Sequence, residues 1–395
     1  MNPVRRILAA VGLATASALV LSACGSDTAS SPSSSAPAAT SSIESSSASA
    51  TGSVAGSSAV GSSSVGSSSV GSSADGSSTA APNSATGGTF PVTVKNIYGE
   101  TTIEQAPTRV ATVSWVNPDV ALALGVVPVG MDADAYGGNA DKSTDWKDEA
   151  LAGLGASIGT DKAPAQWDTA NGINYDAIAD ATPDVILAAY SGLTQDEYDK
   201  LSKIAPVIGP VAANYTTSWQ DATTVIGAAL GKGSEATALI STVEGKISAA
   251  GAANPVLKGK TFIAASLDPT KTNVSIYAAG DTRPRFLTAL GLTQAPVVAA
   301  NTKAGAFYFE YSGEKANELK SDIIFSWGDA STTLKVLQDN KLLGQIPAIK
   351  SGAALLTSDQ QLTLSISASS PLSLQWALPK FVPLVVKAAE TADGS

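Results

Sequence analysis

Short apolar runs alternate with amphipathic stretches from residue 92 onwards. After a predicted hairpin, "PVTVKN" and "TTIEQ", come the apolar runs "RVATVSW", "VVPVGM", "PDVILAAY" and "PVIGPV". Between these runs, the apolar residues are spaced as in amphipathic helices, in "NPDVALALG", "YDAIADA" and "TQDEYDKLSKIA". Because buried strands that alternate with helices are typical of sheets covered on both faces, this pattern predicts an α/β fold with mostly parallel strands.

The same alternation returns after two predicted helices in the middle of the chain, Trp219 to Leu230 and Ser234 to Ala253. The halves also resemble each other, since "YDAIADATPDVIL" from Tyr175 aligns without gaps on "GEKANELKSDIIF" from Gly313. The match is short, and common α/β sequence patterns alone would also produce one. We nevertheless expect two similar lobes joined by a helix. The predicted boundaries are residues 89–232 for the first lobe, 233–258 for the joining helix and 259–395 for the second lobe.

A charged pair and an apolar run open the chain. Arg5 and Arg6 precede apolar residues 7–23, a stretch shorter than a membrane-spanning helix of about 20 residues and typical of a secretory signal. The only cysteine, Cys24, follows this run, so no internal disulfide can form. Its context "LSAC" resembles the lipobox of bacterial lipoproteins, which implies that Cys24 is acylated and anchors the protein to the outer face of the cytoplasmic membrane.

Residues 24–88 form a low-complexity segment of Ser, Ala, Gly, Thr and Val. The repeat "GSSAV GSSSV GSSSV" places one valine every five residues, which matches neither the helical nor the strand period. No face of this segment can be buried, so we expect a disordered tether. A flexible chain of this length spans about 45 Å.

Composition excludes several classes of function. Acidic residues number 34 and basic residues 24, a net charge of −10 that disfavours a nucleic-acid partner. The chain has no histidine, so Ser-His-Asp and Cys-His catalytic sites cannot form, nor can the histidine sites usual for zinc and copper. Asp132 and Asp134 begin a calcium-like loop, but Tyr136 replaces a ligand of that motif.

Several segments together resemble the ferric-siderophore substrate-binding lipoproteins of ABC importers. They include the lipobox, the tether, "INYDAIADATPDVILAAYSGLTQDEYDKLSKIAPVI", "YAAGDTRPRFLTALGL" and "FYFEYSGEKANELKSDIIF". The resemblance implies two Rossmann-like α/β lobes joined by a single long helix, with a ligand cleft between the lobes. It also implies a monomer without enzymatic activity or cofactor, which takes iron only as a siderophore complex and delivers it to a permease in the membrane.

Aromatic residues at the ends of predicted elements are candidates for the ligand-binding surface. In open α/β sheets, ligands lie outside the carboxyl ends of the strands, and aromatic rings there suit a large, flat, partly apolar ligand. Any one of these rings is equally compatible with a position in a lobe core. The candidates are Trp115, Tyr136, Tyr190, Trp219, Trp327 and Tyr308, which we expect to precede a helix.

Arginine is scarce after the signal, and two of the three remaining arginines, Arg283 and Arg285, lie in "GDTRPRF". A guanidinium donates several hydrogen bonds at once and stacks on rings, so it suits an iron-bound hydroxamate or catecholate. Arg283 matches the arginine of this motif in the resembling proteins, whereas Arg285 matches less clearly. A surface ion pair between Arg283 and Asp281 is the alternative.

Two acidic residues are candidates for docking onto the permease. In the resembling proteins an acidic residue on each lobe has this role, and the matching positions are Asp176 and Glu314. Helix starts also favour acidic residues through the helix dipole, so an ordinary solvated helix end is the alternative.

The sequence therefore predicts a receptor for a ferric siderophore. A receptor for a corrinoid or haem, a tethered glycosidase that uses two carboxylates, and a scaffold protein are the alternatives. Tryptophan fluorescence quenched by a ferric siderophore without turnover would separate the receptor from the other classes.

Overall fold

The computed structural model describes residues 88–213 and 215–394, which lie in one compact unit of the chain, Ser77–Ser395. The other unit, Met1–Gly76, falls outside the described residues, as do the predicted signal, Cys24 and nearly all of the predicted tether. In the described part, no helix combines the length and the apolarity needed to cross a bilayer.

The first lobe consists of a hairpin followed by alternating strands and helices. Its elements are β1 (Val92–Asn96), β2 (Gly99–Ile103), β3 (Val110–Thr112), α1 (Val116–Ala123), β4 (Gly130–Asp132), α2 (Asp145–Gly153), β5 (Ala165–Trp167), α3 (Tyr175–Asp180), β6 (Val185–Leu187), α4 (Gln195–Leu201), β7 (Val207–Ile208) and α5 (Trp219–Ala229). Strands β3 to β7 form one parallel sheet in the order β5-β4-β3-β6-β7. The predicted parallel α/β arrangement is therefore correct for this lobe.

Both faces of the first sheet are buried, as its continuous apolar strands require. On β6, Val185 and Leu187 belong to the core against α1 and α5, while Ile186 between them belongs to the core on the opposite face. Helices α4 and α5 are among those that begin with a side-chain cap provided by the sequence. Thr194 and Glu197 form a capping box at α4, and Ser218 accepts a hydrogen bond from Asp221 N at α5.

A long helix, α6 (Gly233–Ala252), carries the chain from the first sheet to the second. Its Leu239 packs against the α1 and α5 core of the first lobe and also against the main core of the second. A 3₁₀ helix at Pro255–Leu257 follows, where the proline lacks the N–H that a continuing α-helix would need. One helix thus links two separate cores.

The second lobe repeats the alternation of strands and helices. Its elements are β8 (Thr261–Ser266), β9 (Asn273–Tyr277), α7 (Thr282–Ala289), β10 (Thr293–Gln294), α8 (Pro296–Asn301), β11 (Tyr308–Ser312), β12 (Ile323–Trp327), α9 (Leu334–Asp339), α10 (Pro347–Ser351), β13 (Ala354–Thr357), α11 (Gln360–Ser367) and α12 (Pro371–Asp393), with 3₁₀ helices at Gly313–Glu318 and Leu343–Gln345. Its sheet has the order β11-β9-β8-β12-β13, with β10 paired to β8. Two lobes with parallel sheets agree with the predicted fold class.

The second sheet departs from the prediction at one edge, where β9 and β11 are antiparallel to their neighbours. The expectation that Tyr308 precedes a helix is wrong in detail, because Tyr308 is the first residue of β11 and lies opposite Tyr277 of β9. The alternation in "YFEYS" gives the physical reason, since Tyr311 faces the core while Tyr308 and Glu310 are exposed. A 3₁₀ helix, Gly313–Glu318, comes only after this strand.

The similarity between the two halves has a structural counterpart. The gapless alignment pairs Asp184 with Asp322. Asp184 directly precedes β6, which pairs with β3, and Asp322 directly precedes β12, which pairs with β8. Asp184 accepts hydrogen bonds from the backbone N–H groups of Thr108 and Arg109, and Asp322 accepts one from that of Thr261. Each carboxylate therefore ties the start of one parallel strand to the next.

Candidate ligand-binding cleft

A cavity of about 320 Å³ lies where the strand order of the first sheet reverses, between β3 and β6. Loops that leave neighbouring parallel strands in opposite directions open a crevice at such a point, and ligands bind there. Ser114 and Trp115 after β3 line the cavity, together with Ser191 and Gly192 after β6. The fold therefore places the residues that follow these two strands around one hollow.

A buried amide joins these two loops. Asn117 Nδ2 donates to the carbonyl oxygens of Val113, at 2.6 Å, and Tyr190, at 3.0 Å. Asn117 Oδ1 accepts a hydrogen bond of 3.0 Å from Tyr190 N. Since this side chain is fully buried, the loops are held in fixed positions and the rings they carry are preorganised.

Aromatic rings form one wall of the cleft. The centroid of Tyr215 lies 6.1 Å from that of Trp115 and 5.8 Å from that of Tyr190. Trp115 is 38% exposed, Tyr215 41% and Tyr136 43%, and all three line the cavity. Large aromatic side chains that stay this exposed around one hollow indicate a binding surface.

A buried arginine stack belongs to the second lobe. The guanidinium carbon of Arg283 lies 3.7 Å from the centroid of the Tyr277 ring and 4.3 Å from that of Trp327. Asp281 accepts two side-chain hydrogen bonds of 2.7 Å, from Arg283 Nε and Nη2. Burial alone would lower the pKa of Arg283, but the ion pair with Asp281 outweighs it and raises this pKa. The anticipated ion pair therefore exists, but it is buried and stacked on rings.

Contacts and charge effects connect this stack with the first lobe. The hydroxyl groups of Tyr190 and Thr282 both donate to the carbonyl oxygen of Ser367, at 3.2 and 2.6 Å. Burial raises the pKa of Tyr136, and the positive charge of Arg283 partly opposes this rise. Burial is the largest effect on the pKa of Tyr190 and raises it, while the positive charge of Arg283 lowers it. Tyr136 and Tyr190 thus lie within electrostatic reach of Arg283.

Tyr308 is a further exposed ring on the second lobe. Its ring centroid lies 6.0 Å from that of Tyr277 and 4.8 Å from that of Phe307. Tyr308 is 43% exposed and extends the ring surface that holds Arg283. Of the predicted ligand residues, Trp115 and Tyr136 line the 320 Å³ cavity, whereas Tyr190 is buried in the first-lobe core. Arg283, Trp327 and Tyr308 contact Tyr277 on the second lobe and are not among the described residues that line that cavity. The ligand role of all six stays a prediction.

The remaining two predicted ligand residues, Trp219 and Arg285, lie elsewhere. Trp219 is only 7% exposed and belongs to the main core of the second lobe with Val243 and Phe286. Both Trp219 and Arg285 line another cavity, of about 550 Å³, with residues of α5, α6 and α7. Neither is among the described residues that line the 320 Å³ cavity, so their ligand role stays a prediction.

The two predicted docking residues occupy related places on the lobes. Asp176 lies in the first turn of α3, and Glu314 in the first turn of the 3₁₀ helix that corresponds to α3 in the alignment. Both side chains are exposed. The docking role itself stays a prediction.

A buried charged group lies behind the first-lobe cavity. Lys147 forms an ion pair with Asp134, and both side chains are almost fully buried. Burial raises the pKa of Asp119 to about 6, against the opposing effects of Lys147 and of a hydrogen bond from Ser370. Burial also raises the pKa of Asp132 to about 6, although a hydrogen bond from Ser114 N lowers it. No group of three or more acidic or cysteine side chains suited to a metal ion occurs within residues 88–213 and 215–394.

Sequence reasoning missed several residues of the cleft. Tyr277 ends β9 and stands four residues before Asp281, so its nearness to the arginine motif in the sequence is a signal that could have found it. Tyr215 adopts φ 61° in a loop, and no pattern in the sequence marks it. Asn117 stands inside the predicted helix "NPDVALALG", where a fully buried amide is unexpected and could have been noticed.

Known proteins resemble this chain in sequence and in structure. Residues 110–360 match the periplasmic binding protein family. The fold is similar to PiaA of Streptococcus pneumoniae TIGR4 in complex with ferrichrome, with 35% identity and a TM-score of 0.71, and the match covers 76% of this chain and 99% of PiaA. A second structure, described as the iron uptake ABC transporter substrate-binding protein PiaA, gives 34% identity and a TM-score of 0.68, covering 76% and 100% of the two chains.

A periplasmic solute binding protein of Mycobacterium smegmatis is also similar, with 28% identity, a TM-score of 0.63 and coverage of 75% of this chain and 98% of that one. No protein of curated function matches the sequence. The family match spans more than half of the chain, and PiaA exceeds 30% identity over nearly its whole length. The chain therefore belongs to the periplasmic binding protein family, whose members bind solutes.

Proposed function

We propose that the protein captures a ferric siderophore outside the cytoplasmic membrane and delivers it to an ABC permease. The similarity to PiaA supports this, because PiaA is an iron uptake ABC transporter substrate-binding protein whose structure contains ferrichrome. The observation that carries the proposal is the Arg283 guanidinium, which is stacked on Tyr277 and Trp327 and whose positive charge opposes the rise that burial causes in the pKa of Tyr136 on the first lobe.

The arginine stack suits the oxygens of an iron chelate. Asp281 accepts one hydrogen bond each from Nε and Nη2 of Arg283, which leaves three of the five guanidinium N–H groups for Tyr277 and a ligand. The two rings fix the guanidinium plane, so little side-chain entropy is lost when a ligand binds. A hydroxamate or catecholate oxygen bound to iron keeps lone pairs and negative charge, and both favour a charge-assisted hydrogen bond from arginine.

The aromatic wall would supply most of the contact area. Trp115, Tyr136, Tyr215 and Tyr308 offer exposed rings that would bury the apolar arms of a chelate at about 25 cal/mol per Å². In this proposal the siderophore supplies all of the ligands of the iron, and the iron is cargo. The protein binds and releases the intact chelate without chemical change.

Anchoring and docking complete the proposal. The "LSAC" sequence supports acylation of Cys24, and the repeat that follows supports a flexible tether to the membrane. Asp176 and Glu314 are exposed at corresponding places of the two lobes, which supports paired contacts with basic residues of a permease. These contacts would be charge-based and sensitive to salt.

Titration of the tryptophan fluorescence with ferric and iron-free ferrichrome tests the proposal. We expect saturable quenching by the ferric complex at micromolar concentration or below, weaker binding of the iron-free form, and recovery of the unchanged chelate. Arg283→Ala should weaken the ferric complex at least tenfold, about 1.4 kcal/mol.

Three results would contradict the proposal. Binding of a corrinoid or haem in preference to every ferric siderophore would identify another ligand class. Cleavage of a wall glycan would identify an enzyme. Absence of any small-molecule binding would favour a scaffold.

A further inference from the structure

One carboxylate faces the ligand cavity with little to neutralise it. Asp132 is the last residue of β4 and lines the 320 Å³ cavity beside Trp115, Tyr136 and Tyr215. Its Oδ2 accepts a hydrogen bond of 2.7 Å from Ser114 N, whose residue adopts the left-handed φ of 70°. Among the described residues no other hydrogen bond reaches the carboxylate of Asp132, so its Oδ1 can accept a donor from the cavity.

The charged residues around Asp132 do not neutralise the negative charge of its carboxylate. Of the described residues that line the cavity, none is a lysine or an arginine, and Glu197 adds a second carboxylate. Lys147 lies behind the wall and is paired with Asp134. On the opposite lobe, Arg283 is paired with Asp281. The wall around the cavity is therefore negative overall.

A bound chelate would displace water from this carboxylate. Burying a carboxylate without water or a counter-ion costs free energy, and a cationic group of the ligand within hydrogen-bond distance offsets that cost. A neutral chelate leaves the cost in place, and an anionic chelate adds repulsion. The raised pKa of Asp132 agrees with a site where a carboxylate is poorly stabilised without a ligand.

We propose that Asp132 binds a protonated amine of the siderophore, so that the receptor prefers cationic ferric hydroxamates to neutral ones and rejects strongly anionic catecholates. Three hydroxamates balance the charge of Fe³⁺, so one additional ammonium group makes such a chelate cationic. Iron held by three catecholates carries a charge of −3 and would face both Asp132 and Glu197. This inference rests on the proposed function, because it concerns the same cleft.

The test uses two ligands that differ at one group. Ferrioxamine B is a ferric trihydroxamate with a terminal amine, and its N-acetylated form is the same chelate without the charge. We expect the full chain to bind the amine form at least tenfold more tightly at pH 7.5 and moderate ionic strength, measured by calorimetry. Asp132→Asn should reduce this ratio to less than about threefold.

Two controls accompany this variant. Glu235→Gln removes one exposed negative charge on α6, away from the cavity, and should leave the ratio unchanged. Neutral ferrichrome should bind Asp132→Asn at least as tightly as the wild type, which shows that the variant is folded.

The outcomes separate the two proposals. If ferrichrome binds the wild type but the amine and acetylated forms bind equally, charge selection is wrong and siderophore capture stands. The same conclusion follows if the preference persists in Asp132→Asn. If no ferric chelate binds the wild type, the proposed function itself is wrong. The wild-type comparison needs no variant, so it decides whether charge selection exists even if Asp132→Asn does not fold.

Discussion

Arg283 lies face-on over Tyr277, with its guanidinium carbon 3.7 Å from the ring centroid. Trp327 lies on the same guanidinium at 4.3 Å, and Asp281 holds its edge through Nε and Nη2. The arginine is therefore fixed in plane and direction before any ligand arrives. A preorganised donor of this kind binds a ligand at lower entropic cost than a mobile side chain.

Replacement of Arg283 by lysine should separate charge from geometry. Lysine keeps the positive charge but cannot stack as a plane or donate twice to Asp281, so affinity for a ferric siderophore should fall about tenfold or more. Fluorescence titration measures the change. The matched variant Arg109→Lys should leave the affinity within about twofold, because Arg109 is exposed and is not among the described residues that line either cavity. Equal losses in both variants would contradict the distinct role of Arg283.

Trp115 and Trp219 should respond in opposite ways to replacement by alanine. Trp219 is buried in the second-lobe core, so Trp219→Ala should lower the free energy of unfolding by about 3–5 kcal/mol. Trp115 is exposed in the cleft, so Trp115→Ala should lower stability by less than about 1 kcal/mol but weaken ligand binding about tenfold. Chemical denaturation and ligand titration of both variants check this. Strong destabilisation by Trp115→Ala would contradict its place in the cleft.

Asp119 should make stability depend on pH. Its pKa is raised to about 6 when folded, so the folded state binds more protons than the unfolded chain between about pH 4 and 6. Its contribution is fully present below pH 4 and is lost as the pH rises through 6. Asp119→Asn should therefore gain on the order of 2 kcal/mol relative to the wild type between pH 4 and 8.

Asp184 offers a control of opposite sign. Burial raises the pKa of this carboxyl, but hydrogen bonds from the backbone of Thr108 and Arg109 outweigh it and lower the pKa below its usual value. Its stabilising contribution is therefore present at neutral pH and lost in acid. The deficit of Asp184→Asn should be largest near pH 7 and shrink as the pH falls below 4. Parallel pH profiles for the two variants would contradict the account of Asp119.

Charge reversal at Asp176 and Glu314 should separate binding from transport. Both side chains are exposed, and neither lines the cavity, so Asp176→Lys and Glu314→Lys should leave ligand affinity within about twofold. Uptake of radioactive iron by cells that carry the double variant should fall at least tenfold. Reversal at Asp339, an exposed residue of α9, is the control and should leave uptake unchanged. Normal uptake by the double variant would rule out the docking role.

Local sequence patterns were sufficient to predict the two-lobed α/β fold class. Runs such as "PDVILAAY" and "SDIIFSW" are strands because alternate residues enter cores on both faces, as Ile186 and Leu187 do. The short match between the halves also proved informative, since Asp184 and Asp322 each fix a neighbouring strand. The edge strand β11 was missed because the polar stretch after it favoured a helix.

The cleft was only partly predictable, because its members meet through the fold and not through sequence spacing. Trp115 and Trp219 both stand beside helix starts, yet one is exposed at a sheet edge and the other is covered by α6 and α7. Tyr215 reaches Trp115 from a loop a hundred residues later in the chain. Such contacts depend on how the loops are fixed, here by the buried Asn117 amide.

A crystal structure of the protein with a bound ferric trihydroxamate would show whether Arg283 contacts the chelate. We predict the chelate between the lobes, with a guanidinium nitrogen of Arg283 within about 3.2 Å of an iron-bound oxygen and the Trp115 and Tyr308 rings in contact with its arms. A chelate bound away from Arg283, such as in the cavity beside Trp219, would contradict this prediction.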